Sequence, residues 1–115
     1  MLAHSRLRWI LLGTLALAGV STESASAVAP ATIQIVIDQF AFARPQVSAT
    51  VGDTIEWINK DIVDHSSTDR KKAWDVTLAA GGTARVVMKT AGTFEYYCRF
   101  HPNMVGHIVV AAPAK

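Results

Sequence analysis

Apolar and polar residues alternate with a period of two along most of the chain from residue 33 onward, the spacing that sends successive side chains to opposite faces of a β-strand. Ile33, Ile35 and Ile37 alternate with Gln34 and Val36, and Ile55 and Trp57 with Thr54, Glu56 and Ile58. Trp74, Val76 and Leu78 alternate with Asp75 and Thr77, and Phe94 and Tyr96 with Thr93, Glu95 and Tyr97. Residues 85–89 and 107–111 predict two further strands, and helical periodicity is hard to find. Turn signals separate these runs: Arg44-Pro45, Gly52-Asp53, Asn59-Lys60-Asp61, Gly81-Gly82, Ala91-Gly92 and Pro102-Asn103. Roughly six to eight short strands in one domain predict an all-β sandwich. The polar stretch over residues 61–72 predicts a loop or a poorly ordered crossover between strands. Trp57, Trp74 and Met88 are expected in the core.

The first residues follow a different pattern. His4, Arg6 and Arg8 precede an apolar run over residues 9–20, and Ser24-Ala25-Ser26-Ala27 offers small residues for cleavage, the layout of a secretory signal peptide. The run is shorter than the roughly twenty residues that cross a bilayer, which argues against a membrane span in the mature chain. No adjacent arginine pair precedes it, so the unfolded export route is expected. Residues 1–27 are thus expected to be a signal peptide and residues 28–115 the mature domain. The mature part holds nine Lys/Arg against eight Asp/Glu, a net charge close to +1, and gives no reason to expect nucleic acid as a partner. The short basic run Arg70-Lys71-Lys72 reads as a solvated loop.

Cysteine use sharpens the picture. Small exported domains commonly depend on disulfides, yet Cys98 is the single cysteine, so its thiol calls for burial, a metal or chemistry. The segment Cys98-Arg99-Phe100-His101-Pro102-Asn103-Met104 carries a thiolate, an imidazole and a thioether at spacings of three residues, with Pro102, Asn103 and Gly106 to bend the chain. His65, upstream in the polar stretch, can supply a fourth donor. Two imidazoles, one thiolate and a weak axial thioether describe a blue-copper electron-transfer site. Calcium would demand oxygen donors, and structural zinc sites seldom enlist methionine, although affinity by itself does not exclude zinc.

Several segments together resemble the cupredoxins: Val51-Gly52-Asp53-Thr54-Ile55-Glu56-Trp57-Ile58-Asn59-Lys60-Asp61, then His65, then Gly92-Thr93-Phe94-Glu95-Tyr96-Tyr97-Cys98, and finally His101-Pro102-Asn103-Met104-Val105-Gly106. The short C-x-x-H-x-x-M loop is most similar to that of the amicyanins, with pseudoazurins and plastocyanins as more distant relatives. The resemblance implies a Greek-key β-sandwich with the metal at one end beneath loops. It implies copper, one type 1 ion per chain, held by His65, Cys98, His101 and Met104. It also implies that the His101 ring edge is the exit for the electron and that Asn59 helps tie the ligand loops together. One departure stands out: Asp64 and Ser66 flank His65 where amicyanin-like sequences commonly place proline and asparagine, so a carboxylate beside the ligand is expected to affect tuning or loop rigidity.

These readings together imply a small periplasmic electron carrier, monomeric, not an enzyme, meeting transient redox partners such as a dehydrogenase, an oxidase or a c-type cytochrome. Phe100, Pro102, Met104 and Val105 would form an apolar collar around His101, and Arg99 a steering charge. A copper carrier or storage protein without an electron-transfer role is the alternative, because it would use the same ligand types. An enzyme would need Cys98 and His101 as nucleophile and base, or Asp64-His65-Ser66 as part of a triad, and no oxyanion motif accompanies either. His107 lies outside the ligand pattern and is expected to be solvated.

Overall fold

The computed structural model describes residues 12–22 and 28–113. The basic leader and the cleavage stretch of the expected signal peptide lie outside the described residues, and residues 12–22 carry neither helix nor strand. No helix among the described residues is long and apolar enough to cross a membrane.

Nine strands make up the described body: β1 (Thr32–Asp38), β2 (Ala41–Phe42), β3 (Gln46–Thr50), β4 (Thr54–Asn59), β5 (His65–Asp69), β6 (Asp75–Leu78), β7 (Thr83–Val87), β8 (Gly92–Tyr97) and β9 (Val105–Ala111). They form a four-stranded sheet in the order β2-β1-β4-β7 and a five-stranded sheet in the order β3-β9-β8-β5-β6. Pairing is mixed, with β1 parallel to β4 and β3 parallel to β9 and the remaining neighbours antiparallel. The all-β sandwich expected from the alternation is thus present.

Alternation explains why the two sheets face each other. Ile35 and Ile37 of β1, Ile55 and Trp57 of β4, Tyr96 of β8 and Ile108 of β9 have no exposed surface. Each such side chain contributes roughly 1.5–3 kcal/mol by leaving water. Between them Trp57, Trp74 and Tyr96 pack as an aromatic cluster, with ring centroids 5.6–6.1 Å apart. The opposite face of the first sheet carries a polar row. There Gln34, Glu56 and Arg85 align across β1, β4 and β7, and Glu56 accepts from both neighbours. Gly52 reverses the chain between β3 and β4 at φ 101°, a conformation that favours glycine. Asp53 beside it accepts from the Ala31 and Thr50 amides.

The loop expected over residues 61–72 is overturned in part, because His65–Asp69 is a strand with all five residues buried. Polar residues tolerate this position because their partners are internal. Ser66 bonds Thr68 at 3.0 Å, Thr68 donates to Asp75 at 2.8 Å, and Ser67 accepts from the Trp74 indole at 2.9 Å. Buried polar groups that are all hydrogen-bonded cost little, so a strand with no apolar residue can run through the second sheet. Arg70-Lys71-Lys72 then forms the turn to β6. Lys72 is at φ 62°, and Arg70 lies over the Tyr97 ring and pairs with Glu95. The short strands β2 and β3, also unforeseen, flank the Arg44-Pro45 turn.

Tyr96 lies within this core, and its hydroxyl and the Trp57 indole N–H make no hydrogen bond of regular geometry. Burial pushes the Tyr96 hydroxyl up to about 12, and the nearby Trp57 offsets only part of that. The folded state therefore holds this proton more tightly than the unfolded chain does. The associated stability is complete below the ordinary tyrosine value of 10.0 and is lost as pH rises through about 12. Unfolding free energy measured across that alkaline range should fall with pH, and Tyr96→Phe should remove this part of the slope. An unchanged slope in the variant would refute the assignment.

Candidate metal centre

His65 opens β5, Cys98 follows β8, and Met104 precedes β9. The β8–β9 ladder remains in register up to Tyr97 opposite Val105, and the Cys98 amide donates to the Met104 carbonyl at 3.1 Å. Between these two, the His101 amide donates to the Cys98 carbonyl and the Met104 amide to the His101 carbonyl. The loop is thus a tight bend with its two ends hydrogen-bonded together, which converts a sequence spacing into a convergence of side chains. Pairing of β5 with β8 brings His65 to the same end of the sheet.

The donors meet there. The Cys98 Sγ lies 3.6 Å from His65 Nδ1 and 3.8 Å from His101 Nδ1, and all three donor atoms fall within 4.8 Å of one another. Metal bonds of about 2.0 Å to nitrogen and about 2.3 Å to sulfur, set near 120° apart, separate such donors by about 3.7 Å. The two sulfur–nitrogen spacings therefore already match those of a trigonal N₂S site. Cys98 and His65 are fully buried, and Met104 is buried in the same core cluster as Cys98.

Neighbouring groups orient these donors. The Cys98 sulfur accepts the Ser66 amide at 3.3 Å, which fixes its position. His65 Nε2 meets the Asp61 carboxylate at 2.7 Å. That bond puts the ring proton on Nε2 and leaves the Nδ1 lone pair directed at the cluster. Burial acts to raise the Asp61 pKa, but bonds from the Phe40 amide, His65 and the Gln39 amide outweigh it and hold the carboxyl below its ordinary value. Asn59, fully within the protein, donates to the Val63, Ala79 and Leu78 carbonyls and accepts from the Asp61 amide. It ties the segment before His65 to the end of β6, and its side-chain bonds do not extend to the Cys98–Met104 loop that the resemblance implied.

Asp64 is directed elsewhere: its carboxylate accepts the Ala80 amide at 3.1 Å, so it braces the turn between β6 and β7. No Asp64-His65-Ser66 relay exists in this arrangement, since His65 bonds Asp61 and the Ser66 hydroxyl accepts from the Arg99 amide and bonds Thr68. Arg99 is engaged with Asp75 and Thr77 and lies over Phe100, so little of its charge is available for steering. Asp75 is held below the ordinary carboxylate range by the Thr68 hydroxyl and then by Arg99. His107 stands half exposed on β9, 4.0 Å from Glu95 and apart from the cluster.

Two contributors were not foreseen. Asp61 stands in the sequence as a turn residue, although its place four residues before His65 is a usable signal. Phe40 lies in the β1–β2 turn, and its ring meets His65 at 5.4 Å and His101 at 4.8 Å, both edge to face. Nothing in the local pattern around Phe40 points to this contact.

Known proteins carry the same architecture. The amicyanin of Paracoccus denitrificans is 28% identical over 102 residues, covering 76% of this chain and 71% of that protein. Amicyanin-alpha of Methylorubrum extorquens is 26% identical over 103 residues, covering 84% and 87%. A solved Cu(I) form of a methionine-to-alanine variant of amicyanin matches with a TM-score of 0.62 and 27% identity, covering 72% of this chain and 85% of that one. The family model for the cupredoxin-like domain matches residues 9–110. With the sandwich, the thiolate loop and the two converging imidazoles in place, the chain belongs to the cupredoxin-like domain family.

Proposed function

We propose that this chain is a small blue-copper electron-transfer protein that holds one type 1 copper ion with His65, Cys98, His101 and Met104. The observation that carries the reading is the buried Cys98 sulfur, which faces both imidazole Nδ1 atoms at metal-bridging distance while accepting the Ser66 amide. Met104 would be the fourth donor, a reading supported by its burial and by the backbone bonds that fix it against Cys98 and His101. Bound copper supplies a one-electron couple between Cu(I) and Cu(II).

The residues' task is to keep the donors still while that electron comes and goes. Cys98 is anchored by Ser66 and His65 by Asp61, and the hydrogen-bonded loop ends hold Met104, so little rearrangement accompanies the redox change. His101 is partly exposed, and Phe40, Ile62 and Phe100 expose apolar surface on the segments around it. That surface suits a brief, weak encounter with a redox protein, a dehydrogenase, oxidase or c-type cytochrome, with His101 as the electron's exit. The mature protein is a periplasmic monomer of residues 28–115, exported by the signal peptide of residues 1–27, and acts as a carrier of electrons rather than as an enzyme.

The test is to load residues 28–115 with copper(II) and record the visible spectrum before and after a mild reductant. An intense blue thiolate-to-copper band that bleaches on reduction and returns on oxidation is expected. Stoichiometric copper without that band would refute the reading and favour a periplasmic copper carrier or storage protein.

A further inference from the structure

The turn joining β1 to β2 contains two successive non-glycine residues in the left-handed region, Gln39 at φ 51° and Phe40 at φ 59°. Such a pair is costly for L-residues and persists only where the surroundings over-determine it. Here one carboxylate does so: Asp61 Oδ1 accepts the Gln39 amide at 2.8 Å and Oδ2 accepts the Phe40 amide at 2.9 Å. The same Oδ2 accepts His65 Nε2. Asp61 thus couples the shape of this turn to the orientation of a metal donor.

The turn directs the Phe40 ring onto the site. Phe40 meets the His65 ring at 89° and the His101 ring at 85°, and the two imidazoles meet each other at 5.0 Å. Edge-to-face contact is the favoured geometry for aromatic rings, so three rings brace one another. His65 stands on a strand and is held from behind by a carboxylate. His101 stands on a loop, and its ring is held from the side by Phe40 and His65.

We propose that Phe40, clamped in its left-handed turn by Asp61, is a positioning residue that locks the His101 imidazole in its ligating orientation both without metal and through the redox cycle. The consequence for electron transfer rests on the blue-copper reading above, whereas the locking itself is a property of the metal-free protein. The proposal accounts for two otherwise unexplained features, a strained turn and an aromatic side chain left 51% exposed against two buried or half-buried rings.

The experiment compares wild type, Phe40→Ala, Phe40→Tyr and Asp61→Ala. In metal-free protein, NMR relaxation of the His101 ring carbons should report a rigid ring in wild type and in Phe40→Tyr, and a mobile one in Phe40→Ala and Asp61→Ala. In copper-loaded protein, Phe40→Ala should release copper(I) to a chelator roughly tenfold faster, the scale of losing two aromatic edge contacts. Phe40→Tyr should restore the wild-type rate. Phe40 is half exposed in a turn, so loss of the fold is not expected, and backbone amide spectra verify it. A His101 ring as rigid in Phe40→Ala as in wild type would overturn the proposal. If wild type binds no copper, the blue-copper reading fails and the metal-free measurement still decides the role of Phe40.

Discussion

Copper(II) added to the Cys98→Ala protein is expected to produce no intense visible band, while the circular dichroism of a β-sandwich persists. The band requires a thiolate bonded to copper, and Cys98 is the chain's single sulfur of that kind. Removing it would leave two imidazoles and a thioether, a neutral set without the thiolate that a type 1 site requires. The fold should survive because the side chain lost is small and the aromatic core beneath it is untouched. The Ser66 amide loses its acceptor, and an unsatisfied buried donor costs about 1–3 kcal/mol. Absorption and denaturation of the two proteins side by side check both statements. A blue band surviving in Cys98→Ala would eliminate the ligand assignment outright.

The largest loss of stability from a single added methyl group is expected at Gly106. This residue pairs directly with Tyr96 across β8 and β9, and the Tyr96 ring folds over it. A Cβ at Gly106 would overlap the Cζ, Oη and Cε1 atoms of that ring. The ring has nowhere to go: it is fully buried, with Phe42 at 4.7 Å, Trp57 at 5.6 Å and Trp74 at 6.1 Å. Overpacking typically costs 1–3 kcal/mol, and a rigid aromatic wall puts Gly106→Ala at the upper end, about 3 kcal/mol. That is a large share of the roughly 5–15 kcal/mol that stabilises a small domain. Gly106 is two residues past Met104, so the strain should also reach the ligand loop and broaden the copper site's spectrum. Denaturant unfolding of the metal-free variant measures the first effect, and a loss under about 1 kcal/mol would mean that the Tyr96 ring yields after all.

These two residues also differ in how openly the sequence declares them. Cys98 and His101 are legible because the seven residues from Cys98 to Met104 carry them and the strand leading in alternates cleanly, so local spacing places their donor atoms near each other. β1, β4, β6, β8 and β9 are legible for the same reason, since each buries one face and the period of two writes that face into the chain. Gly106 reads only as a bend residue. Its real constraint is an aromatic ring on the neighbouring strand, and cross-strand register is a property of the sheet.

The strand β5 and the orientation of the donors belong to the tertiary structure for a common physical reason. A run of His, Ser, Ser, Thr and Asp has no apolar face to place it, and it is buried because Asp75, Trp74, Cys98 and the Arg99 amide complete its hydrogen bonds from other segments. Asp61 is a turn residue until the β1–β2 turn is brought beside it, and Phe40 is a solvent-facing aromatic until the left-handed turn aims it at two imidazoles. By itself the sequence determined the all-β class, the buried faces of the alternating strands and a candidate donor set, because periodicity and ligand type are local. Only the tertiary structure decided which polar groups hold those donors in place, because hydrogen bonds and ring contacts between distant segments exist only once the two sheets have closed.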